Sequence, residues 1–291
     1  MHPPGTVAGG YLRPAVLGRE HAVKSGSRLW AFLVRDFLQE VSYRTNFIMQ
    51  IVGVLASLTV WYFLGSFFAR FPQLAESLGG MDYFSYSVVG IAFLRYLSRL
   101  NSTFASKVRQ EQVAGTLEAM LVTPNRTSVL VLMSSAYELV SSTLWILAWL
   151  FMGRMFGAAF HLPALLPAAL LLVVVMASFA SIGILSAGMV IYFKRGDPVT
   201  WLLASGSTLL GGIFFPISIL PEGAQMLAHL LPITHAVEGF RQLIVKSADL
   251  PAIWPHLQYL TIFAAIFLPL GLAIFHLALR RARLEGTLIQ Y

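Results

Sequence analysis

Long apolar runs constrain this chain more than any other feature. Six occur, at residues 46–68, 83–106, 129–151, 165–193, 199–215 and 252–279, the last with Pro255 and Pro269 inside it. A helix of about 20 apolar residues crosses the hydrocarbon core of a bilayer. In that core every backbone polar group must be satisfied internally, which favours helices. Composition agrees: 57% of the 291 residues are hydrophobic and 11% charged, whereas soluble domains carry about 25% charged residues. A water-soluble enzyme is thereby excluded, and so is a disordered chain, which needs low hydrophobicity. The predicted fold is an all-α integral membrane protein with six transmembrane helices.

The net charge of +7 raises nucleic acid as a partner, but the placement of the charges speaks against it. With the N-terminus inside, the outer segments keep Arg70, Arg154, Arg241 and Lys246, and Arg95 and Arg99 lie within the second run. The other 14 of the 20 Lys and Arg fall in cytoplasmic segments. This positive-inside bias places both termini in the cytoplasm and accounts for the basic balance without nucleic acid. No cysteine is present, so disulfides and thiolate metal sites are excluded. The first 45 residues hold no long apolar run, and no cleavable signal is expected.

Three segments are not simple spans. Residues 1–26 read as a mobile cytoplasmic tail. Residues 27–42 place Leu29, Leu33, Phe37 and Val41 at four-residue intervals, with Ser27 as N-cap. That pattern predicts an amphipathic helix on the inner membrane surface; a helix packed on another domain is the other reading. Residues 107–127 link the second and third runs, and 112–122 can form a short helix stopped by Pro124. It would present Glu111, Thr116 and Glu118 to the cytosol. Residues 216–250 follow Gly211 and Gly212 and are interrupted by Pro221 and Pro232. They predict one or two short helices on the outer side, re-entering the membrane against protein or a water-filled cavity.

At these residues the chain resembles the membrane-spanning subunit of type-2 ATP-binding-cassette exporters, a family that includes drug-resistance permeases and polysaccharide or lipid-linked glycan export permeases. The matching strings are Gly115-Thr116-Leu117-Glu118 with Leu121-Val122-Thr123-Pro124, then Gly212-Ile213-Phe214-Phe215-Pro216 with Leu220-Pro221. Leu231-Pro232-Ile233-Thr234 follows, with Glu238 and Arg241-Gln242-Leu243-Ile244. The likeness covers about residues 27–280. It implies a homodimeric path in a bacterial inner membrane, with each copy docking a separate ATPase subunit that handles ATP and Mg. It implies a coupling helix near 110–122, with Glu111, Gly115, Thr116, Leu117, Glu118, Thr123 and Pro124 contacting the ATPase. The outer segment, with Phe214, Phe215 and Pro216, would cap the path. The six-span domain then runs 43–280, and 281–291 is a cytoplasmic tail.

The chain carries no nucleotide site of its own. Gly18–Ser25 ends in Lys-Ser, but Val23 replaces the glycine that a phosphate loop needs before its lysine. No cofactor and no metal are expected. His229 and His235 are six apart, which is not a helical ligand spacing.

Ionisable groups inside the membrane are costly and mark candidate sites. Arg95 lies about 18 Å into the second run, and Glu138, 11 residues after Thr127, lies about 16 Å from the inner side, at 1.5 Å per residue. The two depths nearly coincide, which predicts an Arg95–Glu138 ion pair. It would line or gate the path, or fix helix packing. Arg99 is expected to snorkel to the inner surface. Trp61, Tyr62, Phe63, Phe67 and Phe68 crowd the outer end of the first run. They would stack on cargo, Trp61 and Phe63 foremost, or form an interfacial aromatic belt.

The expected function is therefore the permease of an ATP-driven exporter, with hydrophobic or amphipathic cargo: a drug, a lipid or a lipid-linked glycan. An ion-gradient secondary transporter remains a rival, although it would show internal repeats. So does an intramembrane lipid-modifying enzyme, for which only Arg95 and Glu138 share a depth.

Overall fold

The computed structural model describes residues 44–113, 127–161, 165–193 and 198–285. The expected tail 1–26, the amphipathic helix 27–42 and most of the coupling segment lie outside them. The regular secondary structure of the described residues is helical, without a strand.

The elements are α1 (Arg44–Phe68), α2 (Pro72–Ser77), α3 (Tyr83–Val113), α4 (Thr127–Met155), α5 (Leu165–Phe193) and α6 (Pro198–Leu210). A 3₁₀ turn (Ile217–Ile219), α7 (Glu222–His229), α8 (Pro232–Ile244) and α9 (Leu250–Glu285) complete the order. Each apolar run falls on a helix except for the end of the fifth, whose residues 211–215 lie beyond α6. Four stretches are long and apolar enough to cross a membrane: Phe47–Phe68, Ser135–Met155, Leu166–Phe193 and Leu250–Ala282. α3 is longer than any of these except the last but is too polar to qualify by composition. Arg95, Arg99 and Asn101 dilute it.

The fifth run differs from its expected length. α6 has 13 residues and ends at Leu210, about 20 Å of helix at 1.5 Å per residue. The chain stops being helical at the glycine pair. Gly212 takes φ +68°, a left-handed conformation that costs other residues about 1–2 kcal/mol. Residues 216–250 then fold as the 3₁₀ turn and two short helices.

α3 is the hub of the bundle. It packs on α1, α4, α5, α6 and α8, while α5 packs most extensively on α9. Phe93, Leu97, Leu100, Leu171, Phe179, Val237 and Leu260 are nearly inaccessible at the centre. Close approach depends on small residues: a Cβ on Gly183 of α5 would stand 2.5 Å from the Leu100 carbonyl oxygen. Between apolar helices in lipid, such packing replaces the hydrophobic effect as the driving force. Inter-helix hydrogen bonds add to it. The Ser178 hydroxyl donates to the Leu260 carbonyl at 2.8 Å, and Trp149 Nε1–H donates to the Val88 carbonyl at 3.0 Å. Each bond of this kind contributes about 0.6 kcal/mol on average.

Candidate functional site

A groove of about 730 Å³ opens between α1, α3 and α4. Helical periodicity builds it. α1 supplies Gln50, Gly53 and Val54; α3 supplies Arg95, Arg99 and Ser102; α4 supplies Ser142, Trp145 and Trp149. On each helix these positions recur at three- and four-residue steps and so share one face.

The charges in the groove are arranged in two ways. Arg99 Nε lies 3.4 Å from Glu138 Oε2, both side chains about one-third exposed. Arg95 sits one turn along the same face, nearer the α3 N-terminus. Its guanidinium carbon lies 4.6 Å from the centre of the Trp149 ring, and its Nη2 donates to Ser57 Oγ on α1 at 3.3 Å. The expected Arg95–Glu138 pair is thus replaced by Arg99–Glu138. The helix register explains the difference. Val88–Trp149 and Tyr96–Thr143 are paired by hydrogen bonds, and the same antiparallel register sets Arg99 level with Glu138. Depths counted from the ends of the apolar runs miss by one turn, about 5.4 Å, because α3 runs on to Val113.

At the end of the bundle holding α7 and α8, a second cluster fixes the break after α6. Arg241 on α8 is 2% exposed. Its Nη1 donates to the Gly212 carbonyl at 2.8 Å, and its Nη2 donates to the carbonyls of Tyr86 at 2.9 Å and Ile213 at 3.1 Å. Its guanidinium lies 3.3 Å from the centre of the Tyr86 ring, and the Tyr86 hydroxyl donates to the Gly212 carbonyl at 2.8 Å. Burial pushes the Arg241 pKa down, and Tyr86 and Glu238 oppose that shift. Gly90 on α3 allows the approach: a Cβ there would lie 2.5 Å from the Ile213 carbonyl oxygen.

The held segment carries Phe214, which stacks on Trp61 of α1 with ring centroids 5.3 Å apart and planes 12° off parallel. Two expected path residues are therefore in contact. Phe215 and Pro216 follow in the same break, half-buried, whereas Phe63 is exposed on α1. Glu111 lies in the last turn of α3; Gly115, Thr116, Leu117, Glu118, Thr123 and Pro124 lie outside the described residues.

Next to this cluster, histidines link α8 to α9. His235 Nε2 lies 3.0 Å from the His229 carbonyl and must donate to it. Its Nδ1 then accepts from His256 Nδ1–H at 3.2 Å, and His256 Nε2 accepts from Gln242 Nε2 at 3.2 Å. Among the described residues no group of three or more His, Asp or Glu is arranged to hold a metal.

Sequence reasoning missed Trp145 and Trp149 as groove residues and Arg241 as a buried hub. The four-residue spacing of Arg95 with Arg99 and of Trp145 with Trp149 was the available signal for the groove. Arg241 had none, because its partners are backbone carbonyls.

Residues 27–245 match the family model for ABC-2 type transporters. The chain is also 25% identical over 176 residues to the inner membrane transport permease YadH of Escherichia coli K12, covering 60% of this chain and 68% of that protein. The protein of the same name from Shigella flexneri matches to the same extent.

Proposed function

We propose, from the premise that this chain belongs to the ABC-2 type transporter family, that it is the permease subunit of an ATP-driven exporter. The match over residues 27–245 carries this reading, since it takes in the groove, the Arg241 cluster and the segment expected to couple to an ATPase. The finer parts are our extension of it. Two copies form the path, and each docks one ATP-binding subunit through residues 110–122. Glu111, Gly115, Thr116, Leu117, Glu118, Thr123 and Pro124 make that contact, and ATP and Mg stay with the partner. α3 and α6 complete a six-crossing plan with both termini in the cytoplasm. Residues 216–250 re-enter from the outer face.

The groove supplies one wall of the path. It is open on one side, so a second copy supplies the other. The Trp61–Phe214 stack, with Phe63, Phe215 and Pro216 beside it, closes the outer end. Cargo is hydrophobic or amphipathic, because apolar and aromatic surface dominates the groove lining. ATP-driven approach of the two ATPases moves the coupling segments and switches the groove between inward and outward access. Cargo shifts that equilibrium only by binding the two states differently.

The test is co-purification with candidate partner ATPases in lipid, with and without Glu118→Arg. The expected result is a stable complex whose ATPase activity or coupling collapses in the variant. The opposite result is that no ATPase binds while the protein alone shows gradient-driven uptake or lipid chemistry. That would overturn the reading in favour of a secondary transporter or an intramembrane enzyme.

A further inference from the structure

We propose that the groove between α1, α3 and α4 binds an amphiphile with an anionic head group, a phosphate or a carboxylate, seated on Arg95. This rests on the permease reading and narrows its cargo.

Three observations converge on this site. First, the charge balance of the groove is uneven. Glu138 is taken by Arg99 at 3.4 Å, and among the described residues no other carboxylate lies within ion-pair distance of Arg95. The groove keeps one net positive charge at a depth where an unpaired cation is costly. The neighbours of Arg95 are the Ser57 hydroxyl and the Trp149 ring, both neutral. A guanidinium with neutral neighbours and an open face attracts a planar or tetrahedral oxyanion through charge-assisted, bidentate hydrogen bonds.

Second, Ser142 lines the same groove, and its buried hydroxyl has no hydrogen-bond partner among the described residues. Buried hydroxyls are nearly always partnered, and Ser142 stands level with Arg95 in the register set by Val88–Trp149, so a small side-chain movement that opens it to the groove offers a second donor to an oxyanion. Third, the wall around these donors is apolar and aromatic, with Val54, Trp145, Ile146 and Trp149 contributing to it. A free inorganic anion would gain nothing from that wall, whereas an alkyl or polycyclic body would. The same geometry disfavours lipophilic cations, which would meet Arg95 as a like charge.

The test uses the two groove tryptophans as reporters, with Trp30, Trp61, Trp201 and Trp254 replaced by Phe so that only Trp145 and Trp149 fluoresce. The full-length permease in phosphatidylcholine nanodiscs is titrated with a dodecyl chain brominated at its fourth carbon and carrying a phosphate, a carboxylate or a trimethylammonium head, so that the bromine stays near the tryptophans beside Arg95. Bromine quenches indole fluorescence on contact. The anionic probes should reach half-quenching at a concentration about tenfold below that of the cation. Arg95→Gln should abolish this preference and Arg95→Lys should keep it. If Arg95→Gln does not fold, the anion-to-cation ratio of the native protein decides alone.

Equal quenching by all three probes would overturn the proposal; a counter-charge supplied by a second copy would give that result. Displacement of the bromoalkyl probes by millimolar inorganic phosphate would show a site for the head alone and would overturn the amphiphile. An ATPase-coupled permease without anion preference refutes this inference and leaves the permease reading standing. Anion preference without any ATPase partner does the reverse.

Discussion

Replacing Arg241 by Met should destabilise the bundle by removing a side chain that donates to three backbone carbonyls, two in the break after α6 and one on α3. Its guanidinium donates to Tyr86, Gly212 and Ile213. Gly212 keeps the Tyr86 hydroxyl as a donor in the variant. Ile213 is outside any helix and loses its donor, at a cost of about 1–3 kcal/mol for a buried unsatisfied group. The contacts to Tyr86 are charge-assisted, worth about 1.5–3 kcal/mol. Against these losses stands relief from burying a cation, an effect large enough to make apolar replacements neutral in some proteins. We expect a net loss of about 2–4 kcal/mol, or roughly 5–15 °C in the unfolding midpoint at the scaling for domains of this size. Tyr86→Phe alone removes one hydrogen bond, about 1 kcal/mol. In the Arg241→Met background it should cost more, because the Tyr86 hydroxyl is then the only donor left to Gly212. The assay is the thermal unfolding midpoint of the four proteins in one detergent. A midpoint for Arg241→Met within about 2 °C of native, or above it, would refute the argument that these carbonyls need the cation.

Two further outcomes follow from the same geometry. Arg99→Gln and Glu138→Gln should show a coupling energy of about 0.5–1 kcal/mol in a double-mutant cycle, discounted for their partial exposure. Arg95→Gln and Glu138→Gln should show none, and the reverse pattern would return the pair to Arg95. Stability should also fall on acidification. Burial holds the His235 pKa below its ordinary 6.5, helped by His256 and His229 and opposed by the bond to the His229 carbonyl. Below pH 6.5 the unfolded chain therefore binds more protons than the folded one, and stability falls until the folded pKa is passed. Unfolding midpoints measured from pH 7.5 to 4.5 should decline over that window for the native protein. His235→Gln should flatten the decline; a native curve without slope would contradict the neutral histidine chain.

Much of the helical framework was legible because hydropathy alone sets it. The runs at 46–68, 129–151, 165–193 and 252–279 became α1, α4, α5 and α9 with small changes at their ends. The break after α6 was harder to place. Ile213, Phe214 and Phe215 continue the apolar pattern, so hydropathy carries a span through a point where Gly212 turns the backbone left-handed. The Glu138 partner was misplaced for a related reason. Depths counted from opposite ends coincide only if the helices are about as long as the 30 Å hydrocarbon core, whereas α3 has 31 residues and α4 has 29, and both run well past it. Trp61 and Phe214 were both read as path residues, but nothing in the sequence says that rings so far apart in the chain stack on each other. Arg241 and Glu238 give α8 the look of a polar outer helix. It is instead buried on most sides, because carbonyls exposed by a helix break satisfy the arginine in place of water.

The contrast between α1 and α3 bears on how the protein is made. Only 11% of the apolar stretch of α1 is buried, with Val54 and Leu58 its buried hydrophobic side chains. Its apolar stretch holds no charged residue, so α1 alone in lipid exposes little that lipid penalises beyond Gln50. α3, which crosses the membrane only in the proposed six-span plan, is different, since an arginine near the middle of an isolated inserted helix costs about 2.5–3.5 kcal/mol and α3 carries Arg95 and Arg99 together. Those costs fall when α4 arrives with Glu138, Thr143 and Trp149 to meet Arg99, Tyr96 and Arg95. If α3 crosses the membrane as proposed, the α3–α4 hairpin is the unit in which its arginines find partners, and truncation between the two helices should lower the inserted fraction of α3 in a protease-protection assay.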